Sequence, residues 1–387
     1  MKRTYRLHES DASPGANEAL YTAMSQKGWH LKKRGSYLSR FEKGEPKNYI
    51  YRIEYASPRA FEEHELSEEQ IAFYEECGLE LAAQHDLVHV FRADADSGID
   101  EIYTDPKQRA DMLKAMRRRT VLALFVPFIY AAFWLFLGLM MNRSGDYFAE
   151  LFAELHLTFV RFPPVLLFAG TLFFGGFLLL LYDAVLMLAL YCRLKRGKLP
   201  RRAVKKVSAY RVTLLAVSAA VLISVILIVA QLVTMKSGAL PEVSDGMYLT
   251  FSEIGIKGER VQMPYKDNAS NLEYMKTLTA ECWHSYECIE ANGEKYWMYQ
   301  YVYRMPDEAA AKSLVPALMY EGSFSNEPDE WSAILTEFEG ISEAWEGHAN
   351  LEYLIRKENT VWYITCDADA RKDHSIDEKL MAAIAKK

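Results

Sequence analysis

The 387-residue sequence contains no Gly-x-Ser-x-Gly, no phosphate-binding loop, no His-Glu-x-x-His and no kinase motif set. Those absences remove the enzyme classes that carry these signatures. Calcium-loop spacing is missing too, and nothing implies a cofactor or a resident metal. The opening stretch, MKRTYRLHES, has no apolar run, which predicts no cleavable signal peptide. A basic soluble domain is also lacking. Residues 1–119 carry a net charge of -2 and residues 236–387 a net charge of -12. A nucleic-acid-binding domain is normally basic, so that class is excluded.

The mean hydropathy of -0.12 lacks any bias toward lipid, but it averages unlike parts. Three long apolar runs lie in the middle third: Thr120–Met141, Val165–Cys192 and Val212–Met235. A helix rising about 1.5 Å per residue needs about 20 residues to cross roughly 30 Å of hydrocarbon. Each run is long enough, so three transmembrane helices are predicted within residues 119–236. Pro163 and Pro164 open the second run, where a missing N–H costs nothing. Pro127 lies inside the first, which a membrane helix tolerates. Gly170, Gly175 and Gly176 suit helix contacts but lack GxxxG spacing.

The basic residues orient the runs. Lys107, Arg109, Lys114 and Arg117–Arg119 precede the first, and nine Lys and Arg lie between Arg193 and Arg211. The loop between the first two runs has only Arg143 and Arg161. Short loops rich in Lys and Arg stay inside. The expectation is a multi-pass protein of the cell membrane with residues 1–118 cytoplasmic and 237–387 extracytoplasmic. The basic 193–211 loop either sets this topology alone or also attracts anionic lipid. Between the first two runs, Phe148, Leu151, Phe152, Leu155 and Phe159 recur at helical spacing, which predicts a short interfacial helix.

The fold class predicted for both polar parts is α+β. In the first, GWHLKKRGSYLSRF (28–41) matches GLELAAQHDLVHVF (78–91) at an offset of 50. A strand at 3–7, helices near 17–27 and 68–77, and strands near 36–43, 48–55, 86–92 and 99–103 give a duplicated β-αββ-αββ domain. Asn17 reads as the cap of the first helix, and Ser67 with Gln70 as a capping box for the second. The second part shows strands near 247–252, 295–303, 351–357 and 360–366. Helices are predicted near 307–320 and 376–386, the latter opened by Ser375 and Glu378.

The motifs YRL, GWHL, YLSRFEKGEPKNYIYRIEY and EIYTD, followed by a basic stretch and apolar helices, resemble a family of uncharacterised bacterial membrane proteins. Their N-terminal domain is one of unknown function, and members are often encoded beside PadR-type regulators. The resemblance covers residues 1–120 and the spans, and it implies a regulatory setting. It carries over no active-site residue. The second repeat departs from the family pattern, with Gly78-Leu79 where a Gly-Trp pair is usual.

Candidate sites are few. Asp183 is a carboxylate inside the second run, at a depth similar to Tyr130, with Ser218 on the third run somewhat shallower. Either Asp183 bonds to Tyr130 within the bundle, or its helix slides until the carboxylate meets interfacial water. Trp297, Tyr299, Tyr301 and Tyr303 share one face of a strand. They form either a platform for an envelope glycan or the half-buried side of a sheet under a helix. Cys77 and Cys192 fall near the reducing side, whereas Cys282, Cys288 and Cys366 fall outside, where a disulfide is compatible. If 282–288 is helical, Cys282 and Cys288 point apart and Cys366 is the better partner. His284 adds a third ligand type to CWHSYEC, and His85 and His89 share a predicted strand face, but neither has a paired zinc-site half.

Three functional readings follow. The first is a non-enzymatic regulatory or sensory protein linking an outer domain to a cytoplasmic partner. The second is an envelope-binding or transporter-accessory factor whose outer domain holds peptide or glycan. The third is an enzyme without a recognisable motif.

Overall fold

The computed structural model describes residues 2–55, 68–98, 106–141, 147–200, 208–242, 244, 246–262, 270–322, 331–334, 338–347, 352–366 and 376–387. It divides into two compact units. One comprises Met1–Trp134 with Gly170–Val221, and the other Leu135–Ala169 with Leu222–Lys387.

The N-terminal unit begins β1 (Arg3–Leu7), α1 (Pro14–Ser25), β2 (Trp29–Arg34) and β3 (Leu38–Lys43). It continues β4 (Tyr49–Tyr55), α2 (Glu68–Glu76), β5 (Glu80–His85) and β6 (Val88–Asp94). Two antiparallel sheets result, ordered β1-β3-β2 and β4-β6-β5. Gly28 and Gly78 follow the helices with φ of 74° and 79°, in the left-handed region that ends helices. At Gly28 a Cβ would also stand 2.6 Å from the Gly44 carbonyl oxygen, so no larger residue fits. The strands at 29–34 and 80–85 are not among those predicted from periodicity. Lys32-Lys33 and Ala82-Ala83 break the alternation there, and a bulge falls at the same place in each. The predicted strand near 99–103 and the boxes at Ser67 and Ser375 lie outside the described residues.

The long helices are α3 (Pro106–Ala123), α4 (Val126–Met141), α5 (Tyr147–Arg161), α6 (Pro163–Gly170), α7 (Gly176–Lys195) and α8 (Ala209–Thr234). Three helical stretches, 109–140, 163–195 and 209–234, are long and apolar enough to cross a membrane. The first is interrupted between α3 and α4, just before Pro127, because proline cannot donate the bond that a continuous helix needs there. A π turn, Thr171–Gly175, joins α6 to α7. A Cβ on Gly175 would lie 2.8 Å from Val217, so this glycine lets α8 approach. Gly170 and Gly176 have nothing within 4 Å of such a Cβ and make no comparable contact.

The core of the N-terminal unit joins strands to helices. Tyr21, Leu31, Phe41, Tyr51, Ile53 and Val90 pack with Leu113 of α3 and with Met187, Leu190 and Leu194 of α7. One face of the last turns of α7 therefore buries against protein, while Leu188 and Ala189 on the other stay exposed.

The second unit is built on one antiparallel sheet. Its strands are β7 (Lys236–Gly238), β8 (Glu259–Arg260), β9 (Ser270–Lys276), β10 (Glu281–Ala291) and β11 (Glu294–Arg304), then, after α9 (Glu308–Gly322), β12 (Ser332–Ala333), β13 (Glu343–Glu346), β14 (Glu352–Lys357) and β15 (Thr360–Cys366). Their order is β12-β13-β14-β15-β11-β10-β9-β7, with β8 beside β10. α10 (Ile376–Ala385) and the segment around Leu249 cover Met298, Val302, Trp362 and Ile364 on one face. α5 and α9 cover Tyr303, Leu354, Val361 and Tyr363 on the other. α9 runs through Pro316 to Gly322 without ending at the proline.

Residues 247–252 are not a strand. They are buried turns whose backbone is held by the Gln300 side chain, which accepts from Leu249 N at 2.8 Å and donates to its carbonyl at 2.6 Å. That partner is 51 residues away in sequence, so local pattern misses it.

Candidate functional site

Residues 8–18 of the N-terminal unit run from the link after β1 into the first turns of α1 and are mostly buried. Asn17 organises them. Its side-chain oxygen accepts from Glu9 N at 2.7 Å, and its amide donates to the carbonyls of Glu9 at 3.1 Å and Ser10 at 3.3 Å. Asn17 is thus inside α1 and holds the loop; it is not the helix cap, which is Ser13. The His8 ring lies 2.9 Å from the Gly35 carbonyl, and burial followed by the nearby Arg34 charge holds it below its ordinary pKa.

The segment presents its carboxylates to the long helices. Glu9, 2% exposed, pairs with Arg211 Nε of α8 at 2.8 Å and accepts from the Ser208 hydroxyl. Glu18, also 2% exposed, accepts from Arg109 Nη2 of α3 at 3.3 Å and from Ile53 N at 3.0 Å. Arg109 also donates to the Ile53 carbonyl at 3.0 Å. Asp11 pairs with the fully buried Arg34, and its carbonyl accepts from Tyr55 Oη at 2.7 Å. Buried charges survive where each finds an opposite charge and hydrogen bonds.

Asp183 of α7 lines a cavity of about 260 Å³ together with Ser10, Asp11, Asp86, Arg119 and Thr120. The structure does not bring Asp183, Tyr130 and Ser218 together. Tyr130 is 62% exposed and stands edge-on to Trp134, and Ser218 is exposed. The carboxylate meets the loop of the N-terminal unit because the end of α7 is docked there, a contact that depth counting along a helix cannot show.

The sheet unit holds a second candidate. Trp297, Tyr299, Tyr301 and Tyr303 do share a face of β11, with His284 and Tyr286 beside them on β10. Tyr303 is 1% exposed, and burial drives its hydroxyl well above the usual tyrosine range. Arg161, at the end of α5, lies over the rings of Tyr301 and Tyr303 at 5.3 and 5.5 Å. It donates to Tyr303 Oη at 2.8 Å from Nε and to both Glu321 oxygens at 2.6 Å. His284 stacks on Tyr301 with centroids 4.4 Å apart and planes at 3°, and its Nδ1 is 3.4 Å from Glu273. Arg161, Phe162, Met235, Met275, His284 and Tyr301 help enclose about 240 Å³. Trp297 and Tyr299 form an edge-on pair further along the strand, both half-buried.

CWHSYEC is a strand, not a helix. Cys282 and Cys288 therefore share a face, but six residues at about 3.3 Å each separate them by roughly 20 Å, far beyond disulfide reach. Cys366 pairs in register with Met298, on the opposite face of the sheet from both. A disulfide among the three has no geometry here, and all three are free. Burial pushes the Cys282 thiol up to about 12, which suppresses its reactivity. Among the described residues no group of three His, Cys, Asp or Glu could hold a metal ion. His85 and His89 fall on different strands, β5 and β6, separated by a turn in which Asp86 has φ 52°.

Sequence reading missed Glu9, Glu18, Arg109 and Arg211 as a set. Asp or Glu near the start of a loop is ordinary, and partners 91 and 202 residues away leave no local signal. Arg161 did carry one: it is one of two basic residues in an otherwise cation-poor loop.

Residues 14–126 match the model of a family described as a protein of unknown function, DUF2812. No curated protein and no solved structure matches the chain.

Proposed function

We propose that this chain is a membrane-anchored, non-enzymatic regulatory protein of the cell membrane. Its N-terminal unit meets a cytoplasmic partner, and its sheet unit faces the outside. The observation that carries this reading is the 8–18 segment. This short segment, a loop and the first turns of α1, binds α8 through Glu9 and Arg211, binds α3 through Glu18 and Arg109, and lies beside Asp183 of α7. A segment tied to all three long apolar stretches is displaced when any of them shifts, which is how a change in the helices would reach the N-terminal unit. The N-terminal unit reads as two copies of a βαββ element. The matching sheet orders, the paired bulges and the left-handed glycines at 28 and 78 support that duplication.

A second reading, an envelope-binding or transporter-accessory factor, is favoured by the cavity at Tyr301 and His284. Both readings share a ligand-binding sheet unit and differ in what the N-terminal unit does. A photo-crosslinking residue at exposed Phe73 or Tyr37, in the full-length protein in cells, separates them. Regulation predicts capture of a soluble partner, with the yield changed severalfold by His284→Trp, which fills the outer cavity. Capture from the sheet unit alone, with none at Phe73 or Tyr37, would reject regulation in favour of the second reading. For orientation, single cysteines at Ser36 and Asn271 in a cysteine-free background are to be treated with an impermeant maleimide. Only Asn271→Cys is expected to react in intact cells.

A further inference from the structure

Several cations around the ends of the long helices in the N-terminal unit have partners. Arg109 is paired with Glu18, Arg119 with Asp86, Arg211 with Glu9 and Lys195 with Asp111 at 3.8 Å, and Arg117 lies 4.1 Å over the Tyr191 ring. Arg193, Arg196 and Lys198, at and just past the end of α7, have no carboxylate partner among the described residues. Arg193 Nε donates to the Leu199 carbonyl at 2.6 Å, which fixes the guanidinium in place.

These three cations converge on one cavity of about 750 Å³. Its facing wall is the start of α1, from Ala12 to Ala16. There the Ser13 side chain makes no capping bond, Pro14 has no N–H, and the first turn holds no acidic residue. The positive end of that helix dipole therefore adds to the field of the cations. The floor is apolar, made by Leu186, Ala189 and Leu190 of α7. A cavity with a cationic rim, a helix N-terminus and a greasy floor suits an amphiphile with a multiply hydrogen-bonding anion at one end. Arg in particular forms paired bonds to phosphate oxygens. The helix that supplies this floor is long and apolar enough to cross a membrane, and Ala189 stays exposed on it, so the cavity suits a membrane amphiphile better than a soluble one.

We propose that this cavity binds the phosphate headgroup of an anionic membrane lipid, with an acyl chain along Leu186 and Ala189. The site rests on the helices crossing a bilayer, which resistance to carbonate extraction tests separately. If the protein washes off membranes, the spanning reading fails, whatever the lipid result.

The test uses full-length protein in detergent and native mass spectrometry, titrating phosphatidylglycerol against phosphatidylcholine. Wild type is expected to prefer phosphatidylglycerol by tenfold or more. Combined Arg193→Gln, Arg196→Gln and Lys198→Gln is expected to weaken it by roughly a hundredfold. Lys195→Gln, whose cation already has Asp111, is expected to leave it within twofold. Ala189→Trp changes no charge and projects from an exposed position; it is expected to expel the lipid, and it serves if the triple variant does not fold. Unchanged phosphatidylglycerol binding in the triple variant or in Ala189→Trp overturns the proposal. So does equal occupancy by inorganic phosphate alone, which would make this a site for a soluble anion.

Discussion

Two sets of cations in this protein meet opposite fates. Arg161 in the sheet unit donates to Tyr303 Oη and Glu321, and buried Arg109 in the N-terminal unit donates to Glu18 and the Ile53 carbonyl. Arg193, Arg196 and Lys198 line a cavity and, among the described residues, have no carboxylate partner. The same residue types at similar places along apolar helices thus do different work. An enclosed cation with fixed partners holds elements together, because removing one partner strands a charge. A cation facing a cavity adds little to the fold and keeps its field for a ligand.

The comparison breaks most readily at Glu18. Glu18→Ala leaves Arg109 buried without its carboxylate and is expected to destabilise the N-terminal unit by about 3–5 kcal/mol, read by thermal unfolding in detergent. If Glu18→Ala melts like wild type, the enclosed pairs are not what holds α3 to the strands. Arg161→Ala ranks next, because Arg161 and Glu321 keep 21% and 32% side-chain exposure. Losing its charged hydrogen bonds is expected to cost about 2 kcal/mol. Tryptophan fluorescence of the sheet unit measures this loss, and Arg161→Lys should recover less than half, since Lys lacks the two-pronged donor.

His8 gives a smaller, pH-dependent effect. Its folded-state pKa lies below the ordinary 6.5 because burial and Arg34 disfavour the charged ring. The unfolded chain therefore takes up a proton that the folded chain refuses. The stability from neutral His8 is complete above pH 6.5 and drains as pH falls below it. Stability should therefore decline as pH falls below 6.5, and His8→Gln should flatten that slope. A slope unaltered by His8→Gln would assign the titration elsewhere. The smallest effect belongs to the triple substitution at Arg193, Arg196 and Lys198. Without added lipid it should move stability by less than about 0.5 kcal/mol, as exposed sites do. A loss as large as that of Arg161→Ala would erase the distinction between the two sets.

Several elements were readable in the chain because their causes are local. β11 alternates residue by residue, α9 and α10 show helical period, and Gly28 and Gly78 mark helix ends. β10 does not show as a strand in the sequence, because CWHSYEC buries residues on both faces and so loses the alternation of a half-buried strand. Of the candidate sites, the aromatic face of β11 was legible, since side-chain parity alone sets it. Asp183 is legible as a carboxylate inside an apolar run, but its surroundings are not. Tyr130 matched it in depth, but the end of α7 turns Asp183 toward Ser10 and Asp11.

By itself, the sequence determined three helices long enough to span a bilayer, flanked by mixed α and β segments, together with the uneven basic loops. Length, hydropathy and charge act within a few residues of one another, so order along the chain suffices for them. Only the tertiary structure decided which charges are enclosed and which face a cavity. That choice depends on residues such as Glu9 and Arg211, 202 positions apart in sequence but 2.8 Å apart in space. An ion pair's energy follows distance and dielectric, and the fold alone sets both.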